Sequence, residues 1–264
     1  MARTTFRPEE HGFAFVNSFE LQIGERDEIK RTLHGGVGGA THSVSNDLSG
    51  LSQSIVGMLS RQITTWVDGA LPDYYGMCGG MAFAAADHFH ARRKLPRGSD
   101  YHDIPNDKTP AGRALREYLW QRQMESFGPN VPQLLTWMMM LHLPFGFAGP
   151  TWLCAQTRHE FGELKRHLDH DQPWPICLVG SSRSPFDNHQ VLAIGYEESG
   201  VGTATIYLYD MNCPGREQTI GLSMGGPELI ATESCASPAR GRLRGFFCEH
   251  YEPKSPPDLP GWGA

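Results

Sequence analysis

The chain has 264 residues, a formal net charge of −6 at pH 7 and no long run of Lys or Arg, which argues against nucleic acid or an anionic membrane surface as a partner. Its hydrophobic share is 39%, and its 30 Gly and 19 Pro leave much of the chain to loops. A helical bundle is thereby disfavoured, and the length suits one large domain or two small ones. The first ten residues lack the apolar core of a signal peptide, and no apolar run approaches a membrane span. The six cysteines, at 78, 154, 177, 213, 235 and 248, are scattered without a CxxC pair. Reduced thiols in a cytoplasmic protein are the simpler expectation, with a single chance pair left open.

In chain order, residues 1–12 are polar and read as a poorly ordered start. His11 to Ile23 alternates aromatic residues at Phe13, Phe15 and Phe19, which predicts a strand or an extended segment packed across the domain. Glu25 to Leu33 is charged and predicts one or two exposed helical turns. His34 to Gly39 (HGGVGG) is glycine-rich, lacks the Lys-Ser/Thr of a phosphate loop and reads as a flexible linker. Apolar residues at 48, 51, 55, 58, 59, 63 and 66 predict a helix within Asp47 to Val67, leading into a turn at Pro72. A buried helix starting at Cys78 ends around Arg92–Lys94, where basic side chains suit a C-terminus. Residues 95–113 read as a long loop. Helices follow over Ala114 to Phe127, from Pro132 to His142, and, polar and exposed, over Thr157 to Asp169, with a turn-rich break at 144–150.

The character then changes. Residues 175–180, 189–196, 203–209, 218–224 and 243–248 read as strands, with a hairpin loop at 197–202. Helices first and strands last predict an α+β fold. We divide it into a helical part at about 40–172, a sheet part at about 173–252 and a proline-rich tail at 253–264, within a single domain.

Tyr74-Tyr75-Gly76-Met77-Cys78-Gly79-Gly80-Met81 carries the most chemical information. A lone cysteine is commonly just a buried thiol. Here it sits at a helix start, where free N–H groups stabilise a thiolate, and its glycines let a substrate backbone approach the sulfur. The other five cysteines lack such a setting and read as structural. A nucleophile needs a base and an orienting group. His189 opens a strand and Asp210 closes the next one. A hairpin between them brings the carboxylate to the imidazole, with Asn212 as an alternative orienting group. Asp210 also fits the start of a turn into Asn212-Cys213-Pro214-Gly215. His88 and His90 do not share a helix face, and no carboxylate or cysteine completes a ligand set with them, so neither metal nor cofactor is expected. Trp152, Trp174 and Tyr75 are candidates to line a cleft.

Gly76-Met77-Cys78-Gly79-Gly80-Met81, His189-Gln190-Val191-Leu192-Ala193-Ile194-Gly195-Tyr196 and Tyr209-Asp210-Met211-Asn212 resemble, in that order, the three catalytic motifs of papain-like cysteine peptidases, of the bacterial type. The resemblance covers roughly residues 74–224 as motifs. It implies a papain-like fold, with a helical lobe holding the nucleophile helix against an antiparallel sheet lobe. It further implies a thiol-dependent peptidase or amidase in which Cys78 forms a thioester, His189 moves the proton and Asp210 orients His189. The family's Gln shortly before the cysteine is missing. Besides the Cys78 N–H, the second donor to the oxyanion is then Tyr75, Tyr74, Asn17 or Gln22. The substrate is a peptide, amide or thioester. An acyltransferase using the same residues, or a non-catalytic binding protein, are the alternatives.

Overall fold

The computed structural model describes residues 1–47, 53–71, 73–106, 108–143 and 148–259. Leu48, Leu51, Pro72 and the expectations for 144–147 and 260–264 lie outside the described residues. Among these residues the chain is mixed α+β, with six helices and a curled antiparallel sheet. The helices are α1 (Pro8–His11), α2 (Ile23–Asp47), α3 (Gln53–Val67), α4 (Cys78–His90), α5 (Pro110–His142) and α6 (Pro150–Leu168). The strands β4 (Trp174–Gly180), β5 (His189–Gly200), β6 (Thr203–Tyr209), β7 (Gln218–Ser223), β8 (Ile230–Glu233) and β9 (Leu243–Cys248) stand in the order β8-β7-β6-β5-β4-β9. β1 (Ala2–Arg3) pairs with β5, and β2 (Phe19–Glu20) pairs with β3 (Tyr74–Tyr75).

Several expectations need correction. The start is ordered: Ala2 and Arg3 pair with Tyr196 and Gly195, and Phe6 is buried among aromatic rings. Over Phe13–Phe19 a strand forms only at the end, in β2, and the rest is irregular chain with several bends. Its three rings are buried, and Tyr209 Oη accepts from the Phe13 N–H at 3.0 Å. The glycine-rich linker is helix. α2 runs straight through it, burying Ile29, Leu33, Val37, Ala40 and Val44 at helical spacing. A Cβ on Gly36 would come within 2.3 Å of Val131 Cγ1, so glycine lets α2 approach α5 closely.

α5 is one helix where two were expected, with Pro129 and Pro132 inside it. An internal proline costs about 3 kcal/mol locally. Packing of α2 against this stretch, and Asn130 Nδ2 donating to Ser126 O at 2.8 Å, offset that cost. α6 starts earlier than expected, after Gly149 at φ 77°, and buries Leu153, Phe161, Leu164 and Leu168 against the sheet instead of lying exposed. The hairpin loop shrinks to Val201-Gly202, because β5 continues to Gly200. β8 is short, half-exposed and without an apolar pattern, and the sequence showed no signal for it. Cys213 and Cys235 form a disulfide, so the expectation of reduced thiols fails for these two. No described helix is long and apolar enough to cross a membrane.

α4 is buried from Cys78 to His88 between α5 and strands β4 and β5. Small residues make this possible: a Cβ on Gly80 would come within 2.1 Å of Leu119 O in α5. Farther along α4, Asp87 is fully buried and paired with Arg122 at 2.9 Å. It also accepts from Tyr118 Oη at 2.9 Å, Tyr251 Oη at 2.8 Å and the Lys254 N–H at 3.0 Å. Burial pushes the Asp87 carboxyl up, against the pull of Arg122 and these donors. The segment after β9 thus clasps α4.

Candidate active site

Three sequence-distant residues meet at the head of α4. Cys78 is the first residue of that helix. His189 opens β5, where it pairs with Leu178 of β4, and Asp210 follows the last residue of β6. His189 Nε2 lies 2.8 Å from Asp210 Oδ1, and both side chains are buried. Asp210 is itself fixed by a turn. Its Oδ1 accepts from the Asn212 N–H at 2.9 Å, and its carbonyl accepts from the Cys213 N–H at 3.0 Å. It is therefore both turn residue and histidine partner. With Nε2 committed to Asp210, Nδ1 is the ring nitrogen left for the thiol, and Cys78 stands near enough to the ring to help push its pKa up.

Burial alone would lower the His189 pKa. The Asp210 charge and hydrogen bond, with a smaller contribution from Cys78, outweigh burial and push it up to about 10. The imidazolium is then the resting form at neutral pH. Asn212 lies 3.2 Å from the same Nε2 and 3.1 Å from the Asn17 amide. An Nε2–H aimed at Asp210 is compatible with this neighbour when both amides turn over, Asn212 presenting its oxygen to the ring and its NH2 to the amide oxygen of Asn17.

The cleft over the thiol has a volume of about 230 Å³ and is lined by Cys78, His189, Asn212, Asn17, Tyr75 and Phe186 among others. Tyr74 also lines it but is largely exposed. Asn17 packs directly on Gly76, where a Cβ would lie 2.3 Å from its Nδ2. Tyr75 is held protonated, first by burial and then by the neighbouring Cys78. Gln22 stands apart: its N–H donates to Glu25 Oε2 near the start of α2, and it does not line the cleft. Trp152 packs edge-on to Trp137, and Trp174 stacks on His167, so neither lines the cleft. The Cys213–Cys235 disulfide joins the Asp210–Asn212 turn to the segment that supplies Ser237 and Ala239 to the cleft wall.

Sequence reasoning missed what stands behind the thiol. Gln190 projects on the α4 side of β5, as do Leu192 and Ile194. Its Oε1 lies 3.7 Å from Cys78 Sγ and also receives Ser126 Oγ at 3.3 Å and Gln123 Nε2 at 3.4 Å. Gln123 in turn accepts the Gly80 N–H at 2.9 Å. Gln190 Nε2 donates to Glu249, which is buried and pushed up to about 8 by desolvation, while the Gln190 hydrogen bond and the His189 charge pull it down. A Cβ at Gly79 would sit 2.1 Å from both Gln190 Oε1 and Ser126 Oγ. This explains the second glycine of the motif. Strand alternation puts Gln190 on one face with Leu192 and Ile194, but both faces of this part of β5 are buried, so alternation gives no signal for it; Glu249 lies beyond a strand end and offers none.

Cys154, Cys177 and Cys248 are unpaired thiols, each pushed up chiefly by burial. Comparison with family models, curated proteins and solved structures returns no match.

Proposed function

We propose that the chain is a thiol-dependent acyl-transfer enzyme of papain-like type, hydrolysing a peptide or amide through a thioester on Cys78. The observation that carries this is His189, held at Nε2 by Asp210 at 2.8 Å while the rest of the ring faces Cys78 in one cleft. An imidazolium beside the thiol stabilises the thiolate, which is the attacking form. The thiolate attacks the substrate carbonyl. His189 gives its Nδ1 proton to the leaving amine as the tetrahedral intermediate collapses to the thioester. Neutral His189 then takes a proton from water, which attacks the thioester and releases the acid. Asp210 keeps the ring oriented and its cation stabilised throughout.

The Cys78 N–H and the Tyr75 hydroxyl are the proposed oxyanion donors, in place of the missing upstream Gln. Tyr75 fits because it borders the thiol and stays protonated. An amine can replace water as acceptor without any change in these residues. Adding hydroxylamine to a turnover assay separates the two routes, since amide-forming chemistry yields hydroxamate at the expense of free acid.

The deciding experiment is alkylation of Cys78 by iodoacetamide across pH, in wild type and His189→Ala. Fast alkylation that persists well below pH 8.5, near the pKa of a free thiol, and is lost in the variant supports the enzyme. A rate that tracks an ordinary thiol in both proteins sinks it and leaves a binding module.

A further inference from the structure

Cys78, Tyr75, Phe186 and Asn188 line two spaces at once. One is the cleft already described. The other is a narrow slot of about 30 Å³ on the α5 side, walled by Phe127, Val131, Leu134 and Phe247, with Glu249 in its lining. Three of its other polar side chains are occupied. Ser126 donates to Gln123 O, Asn130 holds Ser126 O and the His250 N–H, and Asn188 accepts the Gly180 N–H. Glu249 differs. It is 2% exposed, and Gln190 uses its Oε1. Among the described residues its Oε2 has no hydrogen-bond partner, and the His189 cation acts on the carboxyl only as a nearby charge. A buried carboxyl left half-satisfied is costly, and a ligand cation removes that cost.

Size and spacing narrow the ligand. The slot has room for only two or three water-sized groups, at roughly 10–15 Å³ each, which excludes a branched or aromatic group. A single amide side chain, Gln190, bridges Cys78 and Glu249, so a short chain spans the same gap. We infer that the slot is the subsite for the acyl portion of the substrate, a short unbranched aliphatic chain ending in a protonated amine. The ammonium binds Glu249 Oε2, the methylenes lie along Phe127, Val131 and Leu134, and the reactive carbonyl is left at Cys78. Its catalytic meaning rests on the proposed role of Cys78; binding in the slot does not.

The ionisable groups acting on Glu249 are Cys177 on β4, His189 on β5 and Cys248 on β9, and Tyr75 on β3 and Cys78 on α4 share the slot wall with it. With its pKa near 8, the carboxyl of an empty slot is mostly protonated at pH 7, so an arriving ammonium displaces a proton.

The test is calorimetric titration of the full chain at pH 7 with ethylammonium chloride, sodium acetate and tert-butylammonium chloride, each in two buffers of different ionisation enthalpy. Ethylammonium has three non-hydrogen atoms and matches the slot, whereas the tert-butyl probe exceeds it. Expected are millimolar affinity for ethylammonium with close to one proton released, at least about tenfold weaker acetate, and exclusion of tert-butylammonium. Glu249→Gln should lose about tenfold or more in affinity. Leu134→Trp fills the slot from its half-buried rim and should lose binding as well, so the test survives if Glu249→Gln fails to fold. Absent ethylammonium binding, equal acetate binding, or undiminished affinity in both variants overturns the subsite. Iodoacetamide reactivity of Cys78, measured on the same preparations, keeps the two failures apart. Normal activation without ethylammonium binding rejects the slot alone, whereas binding with an inert thiol rejects the nucleophile alone.

Discussion

Replacing Asp210 with Asn tests the electrostatic core of the site. The structure puts the His189 pKa at about 10 against an ordinary 6.5, a rise equivalent to about 5 kcal/mol of preference for the imidazolium. This preference exists despite full burial, so its source is the carboxylate 2.8 Å away. An amide keeps an oxygen near Nε2 but brings no charge. Burial then dominates, and the histidine titrates at or below 6.5. Because the folded pKa is raised, the stability this interaction contributes is complete below pH 6.5 and disappears as pH rises through 10. In Asp210→Asn that contribution is absent across the whole range. At pH 7 a thiol of pKa 8.5 is only about 3% thiolate, so an intact ion pair offers up to about a thirtyfold advantage in alkylation. We expect Asp210→Asn to lose at least about tenfold in iodoacetamide rate at pH 7, read from the Cys78 peptide by mass spectrometry. In parallel, the His189 ring signals in nitrogen-15 spectra should titrate more than three pH units lower than in wild type. A variant whose alkylation profile and ring titration match the wild type would refute the assignment of Asp210 as the source of the histidine's charge.

Other expectations follow from the same geometry. Tyr75→Phe should reduce turnover by about 10²-fold or more with little change in alkylation rate, if its hydroxyl serves the oxyanion; equal losses in both assays would place it in thiol activation instead. Gly80→Ala forces a methyl against backbone, within 2.1 Å of Leu119 O, and should cost about 1–3 kcal/mol in denaturant melts, whereas Gly38→Ala, with nothing within 4 Å, should be neutral or stabilising. Reducing the Cys213–Cys235 disulfide, whose partners lie 22 positions apart, should cost about 3 kcal/mol and slow alkylation of Cys78 through the loosened Asp210 turn. Arg122→Met strands the buried Asp87 carboxylate and should cost about 3–5 kcal/mol, with a smaller deficit at acid pH, where Asp87 accepts a proton.

The site was more legible than the helices around it. Cys78, His189 and Asp210 each occupy an element boundary with a distinctive neighbour, a glycine pair, a strand start and a turn signal, and such marks are local. The strands β4 to β7 and β9 were legible for a similar reason, as buried β-branched and aromatic runs bounded by turn residues. The failures concern glycine and proline. His34 to Gly39 reads as a linker because glycine disfavours helix in isolation, yet Gly36 is needed so that α2 can approach Val131. Pro129 and Pro132 read as a break, yet the turn that holds them is pinned by α2 and by Asn130. In both places a contact far away in sequence outweighs local propensity, and a single chain read along its length does not display such contacts. Gln190 lies in a strand that was legible, but its importance comes from meeting Cys78 and Glu249, which only the folded chain brings together.

The clasp on Asp87 has a consequence for synthesis. Tyr251 and Lys254 follow Asp87 by 164 and 167 positions. At about 5–20 residues per second, a ribosome takes roughly 8–33 s to make that interval. Tyr118 and Arg122 follow Asp87 by 31 and 35 positions, and until the tail is made the carboxylate of α4 has only these two to meet, while β9 with Glu249 does not yet exist for most of the interval. Cys78, the proposed nucleophile, therefore emerges long before the parts that seat its helix, and a nascent or stalled chain carries the thiol without the assembled site.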